Sequence, residues 1–255
     1  MTWGEKRRPA GVPAHVVCGA GPPLVALHGG LSTSLDTFRF LGPGLARDHA
    51  VIAPDLAGHG EPSTTEHAAE DLRDLDHTTM AEGVEAVLRH LEIDGPFHLL
   101  GFSLGAAVAM VLALRQPDRI ASLTLLAANT VPTPRTRAGA ASVLPEAIMA
   151  DRPRLAAALE RLHGPTWPLL AARLSTLWHE APLIAPTQLD AFDPLLLIVG
   201  DRDPWIELAQ QQAILDVCPA ARLLVIPGAD HFLLNSESIA HDVLSAFRRT
   251  VRASS

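Results

Sequence analysis

Gly101-Phe102-Ser103-Leu104-Gly105 is the stretch from which the rest of the chain can be read. Ahead of it, Phe97-His98-Leu99-Leu100 forms a short apolar run of strand length. Behind it, residues 104–114 are small and apolar and read as a buried helix. A serine between a strand and a helix sits on a sharp turn. Such a turn strains the serine backbone and presses its neighbours against adjacent chain. Positions two residues away on either side therefore need to be small. Gly101 and Gly105 meet that need. The turn brings the Ser103 hydroxyl into the open at a helix N-terminus, where developing negative charge is favoured. Five residues recur by chance; the strand–turn–helix setting gives the pattern its weight.

Working outward towards the N-terminus, residues 11–19 read as an edge strand. Leu24-Val25-Ala26-Leu27 reads as a strand buried on both faces, ending in His28-Gly29-Gly30. A glycine pair past a strand end leaves N–H groups pointing into a crevice. Residues 35–48 are a broken helical region interrupted by Gly42-Pro43-Gly44. Val51-Ile52-Ala53-Pro54-Asp55 is another buried strand, closing on Leu56-Ala57-Gly58-His59-Gly60, where His59 is expected to serve the loop. Residues 61–76 are polar and acidic, as expected of a surface loop. Thr79-Met80-Ala81-Glu82 has the form of a capping box. Val84, Val87, Leu88 and Leu91 then follow at helical spacing.

Towards the C-terminus, residues 121–127 read as the next strand. From 131 to 189 no strand pattern is visible. Residues 141–149, 152–162 and 167–178 each read as a short helix, so 131–189 is expected to be an inserted helical lid on a core made of 1–130 and 190–255. Strand rhythm returns at 194–200 and 221–226, with helices expected at 205–217 and 236–250. Strands alternating with helices predict an α/β fold, a mostly parallel sheet covered on both faces.

The 255 residues carry a net charge of −8, which disfavours nucleic acid as a partner. Lys6-Arg7-Arg8 reads as a solvated tail. Residues 1–13 lack the apolar centre of a signal peptide, and 104–114 is too short to span a bilayer, so a cytoplasmic protein without a membrane span is expected. Cys18 and Cys218 are far apart and are expected to be buried thiols. The twelve histidines show no metal-ligand spacing, so no metal and no cofactor is expected. With no tyrosine in the chain, a phenolic acid or base is excluded.

In a parallel sheet, ligands bind beyond the carboxyl ends of the strands. Gly29-Gly30, Ser103, Asp203 and His231 all fall at such ends. Their chemistry is complementary. A serine hydroxyl needs a base to take its proton, histidine is that base near neutrality, and an acid fixes the imidazole tautomer. Two N–H donors must face the oxyanion, and losing one costs about 3 kcal/mol.

The sequence resembles the α/β-hydrolase superfamily over nearly its whole length. The matching pieces are His28-Gly29-Gly30, Asp55-Leu56-Ala57-Gly58-His59-Gly60, Gly101-Phe102-Ser103-Leu104-Gly105, Gly200-Asp201-Arg202-Asp203 and Gly228-Ala229-Asp230-His231-Phe232, in the order nucleophile, acid, histidine. The resemblance implies Ser103 as nucleophile, His231 as base and Asp203, rather than Asp201, as orienting acid. It implies an oxyanion hole from the N–H groups of Gly30 and Leu104. Gly29, Phe102, Trp167, Trp178 and Phe232 are expected to line the substrate pocket. Phe102 stands where many relatives carry histidine. The implied function is a serine hydrolase acting on a small, partly hydrophobic carboxylic ester or lactone, as a monomer or homodimer. The same triad also serves C–C bond hydrolases, thioesterases, perhydrolases and acyltransferases, and a ligand receptor can keep it. Six arginines against four acids in residues 131–189 leave open a substrate bearing a carboxylate, against the ordinary reading of a solvated helix surface.

Overall fold

A computed structural model describes residues 3–60, 72–180 and 182–252. Eight strands form one sheet: β1 (Lys6–Arg7), β2 (His15–Cys18), β3 (Pro23–Leu27), β4 (Ala50–Pro54), β5 (Phe97–Phe102), β6 (Ile120–Leu126), β7 (Leu195–Gly200) and β8 (Arg222–Ile226). Their order is β1-β2-β4-β3-β5-β6-β7-β8. β1 and β2 pair antiparallel, as do β2 and β4; the remaining pairs are parallel.

The apolar runs explain the layering. Along β3, Val25 and Leu27 face one core while Leu24 and Ala26 face the other. The first core is covered by α3 (His77–His90), α4 (Leu104–Arg115) and α9 (Leu208–Leu215). The second is covered by α1 (Ser34–Thr37), α2 (Gly42–Leu45) and α10 (Glu237–Arg252), through Phe38, Leu41, Leu45, Val243 and Phe247. Between β6 and β7 the chain forms α5 (Pro134–Ala141), α6 (Pro145–Asp151), α7 (Pro153–His163) and α8 (Trp167–Glu180). These helices have an apolar cluster of their own, built on Val143, Ile148, Leu159, Trp167 and Ala171.

Several expectations are corrected. Lys6-Arg7 is not a solvated tail: it forms β1 at the sheet edge, and Lys6 Nζ lies 2.5 Å from the buried Asp55 Oδ2. The strand expected over 11–19 is ordered as β2 only from His15 to Cys18, one place in from that edge. Most of the acidic stretch 61–76 lies outside the described residues, but Leu72 and Leu75 are buried in the core.

Helix α3 begins at His77 rather than behind a box at Thr79. Asp76 is the cap, its Oδ1 accepting the Thr79 N–H at 2.7 Å, while Thr79 Oγ1 accepts the Asp76 N–H. The helix expected over 205–217 starts only at Leu208. Asp203 Oδ1 accepts the N–H groups of both Trp205 and Ile206 at 2.9 Å, which holds that segment in a turn. The helix expected over 141–149 is two: α5 starts earlier, at Pro134 behind the Thr133 cap, and α6 follows a break at 142–144. Cys18 and Cys218 are buried and are not joined in a disulfide.

Candidate active site

Ser103 follows β5 directly and caps α4 with φ 54° and ψ −115°, a left-handed conformation that a residue with a side chain adopts only under constraint. The constraint is local packing. A Cβ on Gly101 would fall 2.3 Å from the Gly105 carbonyl oxygen, and one on Gly105 would fall 2.2 Å from that of Leu27. The two glycines let α4 press against β3 and β5, and that approach holds the serine turned outward.

His231 lies beyond β8 and Asp203 beyond β7. Ser103 Oγ is 2.9 Å from His231 Nε2, and His231 Nδ1 is 2.8 Å from Asp203 Oδ2. Asp203 and His231 are buried, and the second oxygen of Asp203 is occupied by the two N–H groups that hold its turn. Asp201 is engaged elsewhere, its Oδ1 accepting the Gly228 N–H. Asp230 accepts the Phe232 N–H and leaves His231 alone.

Gly30 follows β3 and lies against the start of α4; a Cβ on it would sit 3.8 Å from the Leu104 Cβ. Neither the Gly30 nor the Leu104 N–H meets an acceptor among the described residues. The loop that carries Gly30 is braced from behind. His28 Nε2 accepts the Leu56 N–H at 2.8 Å, so its proton is on Nδ1, which donates to the Gly29 carbonyl. His59 Nε2 accepts the Leu31 N–H at 3.2 Å, and its Nδ1–H reaches the Ala57 carbonyl. Burial holds both imidazoles below the ordinary histidine range, so both are neutral braces. His163 of α7 reaches the same loop system by accepting the Gly60 N–H.

Ser103 opens on two chambers. The larger holds about 290 Å³ and is lined by Gly29, Phe102, Phe232 and apolar side chains of α6 and α7, with Arg152 also on its wall. The smaller holds about 30 Å³ and includes His77, Asn129, Thr136 and Ile206. Trp178 and Trp205 line both. Of the aromatic residues expected at the pocket, Trp167 is not among the lining groups; it is 3% exposed and packs inside the cluster of the inserted helices. Of the six arginines of residues 131–189, Arg152 alone is among the groups on these walls, and its guanidinium donates to the Ser142 carbonyl.

Sequence reasoning missed Trp205, whose ring lies 4.6 Å from that of His231. Its place two residues after Asp203, on the turn the acid itself folds, was the available signal. It also missed His77 and Asn129. Asn129 follows β6 at the same sheet end as the other site residues, which was the signal for it.

The sequence matches the alpha/beta hydrolase family over residues 24–243. The chain belongs to that family. Among curated relatives of this hydrolase, the 2-hydroxymuconate semialdehyde hydrolase of Pseudomonas sp. (strain CF600) is 36% identical over 122 residues, 46% of this chain and 40% of that protein. The pimeloyl-[acyl-carrier protein] methyl ester esterase of Neisseria meningitidis is 40% identical over 90 residues, 35% of this chain and 30% of the esterase. The match thus spans well under half the length of these relatives. Among solved structures, a thermophilic esterase from Thermogutta terrifontis superposes with a TM-score of 0.72 at 22% identity, over 98% of this chain and 97% of the other. That likeness establishes the shared fold. Among the described residues of the hydrolase, no helix is long and apolar enough to cross a membrane.

Proposed function

We propose that this chain is a serine hydrolase that cleaves a small, partly hydrophobic carboxylic ester or lactone through an acyl-enzyme. The hydrogen-bonded series Ser103 Oγ, His231, Asp203 carries the reading. In this mechanism Ser103 Oγ attacks the carbonyl carbon while His231 Nε2 takes its proton. The tetrahedral oxyanion accepts from the N–H groups of Gly30 and Leu104. Collapse expels the alcohol, which recovers the proton from His231. Water then attacks the acyl group with His231 again as base, releasing the acid and restoring Ser103. Asp203 holds the Nδ1–H tautomer and stabilises the imidazolium. No cofactor enters any step.

The chamber of about 290 Å³ is at the lower end of small-molecule pockets and is walled mainly by apolar groups, which supports a compact substrate. Residues 131–189 act as the lid, since α6 and α7 form much of that wall. We assign the protein a cytoplasmic setting, a small-molecule substrate and no nucleic-acid partner.

The test is hydrolysis of p-nitrophenyl esters with short, medium and long acyl chains, beside Ser103→Ala. The native chain should turn over the shorter esters. The variant should stay folded and lose on the order of 10⁴-fold or more in kcat. A folded variant with native turnover would refute the assignment. The similarity to the semialdehyde hydrolase favours one second reading, cleavage of a C–C bond beside a carbonyl on the same triad. Turnover of a ring-fission diketone with none of any ester would select it.

A further inference from the structure

The smaller chamber beside Ser103 contains polar groups that acyl transfer at the triad does not use. Asn129 makes no side-chain hydrogen bond among the described residues, and its Oδ1 is fully buried. His77 is 5% exposed, and no hydrogen bond joins its ring to the described residues. A buried polar group without a partner costs about 1–3 kcal/mol, so the unpaired Asn129 oxygen on this small chamber calls for an occupant.

Asn129 is held in place by its surroundings. Gln211 Nε2 donates to the Ala128 carbonyl at 2.8 Å, and Gln210 Oε1 accepts the Thr130 N–H at 3.3 Å. Both glutamines are buried. Two residues before Asn129, Ala127 lines the same chamber with φ 48°, a strained conformation for a residue with a Cβ. Backbone strain and a buried clamp on either side fix an amide whose oxygen meets no partner among the described residues.

We infer that the smaller chamber binds a short hydroxylated arm of the substrate, its hydroxyl held by Asn129 and His77. This rests on the serine hydrolase reading above. A hydroxyl both donates and accepts, so it satisfies the amide in either orientation and a neutral imidazole as well. A charged arm would find no counter-charge, because no Lys, Arg, Asp or Glu is on this wall among the described residues. A volume of about 30 Å³ admits two or three heavy atoms and no more, judged against the ~10–15 Å³ one water needs. Leu104, Ala107, Ile206, Trp178 and Trp205 enclose the carbon part of the arm.

The experiment compares kcat/KM within two pairs that exchange a methyl for a hydroxyl: methyl butanoate against methyl 3-hydroxypropanoate, and propyl acetate against 2-hydroxyethyl acetate. The first pair places the hydroxyl on the acyl arm, the second on the alcohol arm. The native enzyme should favour the hydroxylated member of one pair by about tenfold or more. Asn129→Leu should bring that ratio to about one or invert it, and His77→Phe should move it the same way in a separate variant. Unchanged melting temperatures identify a specificity effect. Equal treatment of both members in both pairs, a ratio that survives Asn129→Leu, or no turnover of any of the four by an enzyme active on p-nitrophenyl esters would each overturn the inference. The chamber would then hold water only. In those cases loss of activity in Ser103→Ala leaves the serine hydrolase reading standing; activity retained in Ser103→Ala removes that reading instead.

Discussion

At the residue scale, the outward turn of Ser103 depends on two positions that have no side chain. A Cβ on Gly105 would meet the Leu27 carbonyl oxygen at 2.2 Å and that of His28 at 2.6 Å, both backbone atoms that cannot swing aside. Gly105→Ala therefore has to push α4 away from β3, which also separates Leu104 from Gly30. We expect a loss of about 3 kcal/mol, a fall of about 10 °C in Tm for a chain of this size, measured by circular dichroism. Gly95→Ala is the control: a Cβ there meets nothing within 4 Å and the residue lies outside the left-handed region, so its Tm should stay near native. Equal behaviour of the two variants would refute the packing account. The spacing Gly101, Ser103, Gly105 was legible in the sequence because this clash follows from the turn alone.

At the scale of elements, Asp55 ties three segments together. Its Oδ2 pairs with Lys6 of β1, and its Oδ1 accepts both the N–H and the hydroxyl of Ser34 at the start of α1. Burial by itself would raise the Asp55 carboxyl; His28, Lys6 and the Ser34 donors outweigh it and hold the group below its ordinary range. Removing the acid orphans all of its donors, whereas removing the lysine leaves Asp55 with Ser34. Asp55→Ala should therefore cost about 3–5 kcal/mol in urea denaturation and Lys6→Met distinctly less; the reverse order would refute this. β1 escaped the sequence reading because Lys6-Arg7 has no apolar pattern and exists as a strand only through its partners. Helix starts escaped it for the same kind of reason: whether residue 205 or 208 opens α9 depends on where Asp203 sends its oxygens. Trp167 and Trp178 are alike in composition and lie on nearly one stripe of α8. They are separated by about 16 Å along the axis, so one packs the inserted helices while the other reaches the chambers, and no periodicity distinguishes them.

At the scale of the whole molecule, the parallel strands gather Gly30, Ser103, Asn129, Asp203 and His231 at one end of the sheet. Strand rhythm alone was enough to bring most of them together, because strands buried on both faces declare themselves as apolar runs. The chambers were not legible, since their walls come from helices whose packing is set by tertiary contact. The same burial gives the molecule a pH dependence. Burial lowers the affinity for protons of His15, His28, His49, His59, His77, His98 and His163, with His77 and His98 reaching about 4. Well above pH 6.5, from about pH 7.5 upward, these imidazoles are neutral in both folded and unfolded chain, and their effect on stability is nearly flat. As pH falls from 6.5 towards 4, the unfolded chain takes up protons that the native chain refuses. Stability then declines, by at most about 1.4 kcal/mol per pH unit for each such group. Asp55 acts in the same direction at lower pH, since its stabilisation is full above the ordinary carboxylate range and is lost as acid protonates the folded group. Calorimetry at pH 8.5, 7.5, 6.5, 5.5 and 4.5 should show Tm nearly level between the first two, starting to fall by pH 6.5 and falling more steeply below. His98→Phe removes one titrating group, so its curve should fall less steeply between pH 6.5 and 4. A Tm independent of pH over this range would mean that these histidines take up protons in the folded chain as readily as in the unfolded one, and a variant with the native slope would mean the same of His98.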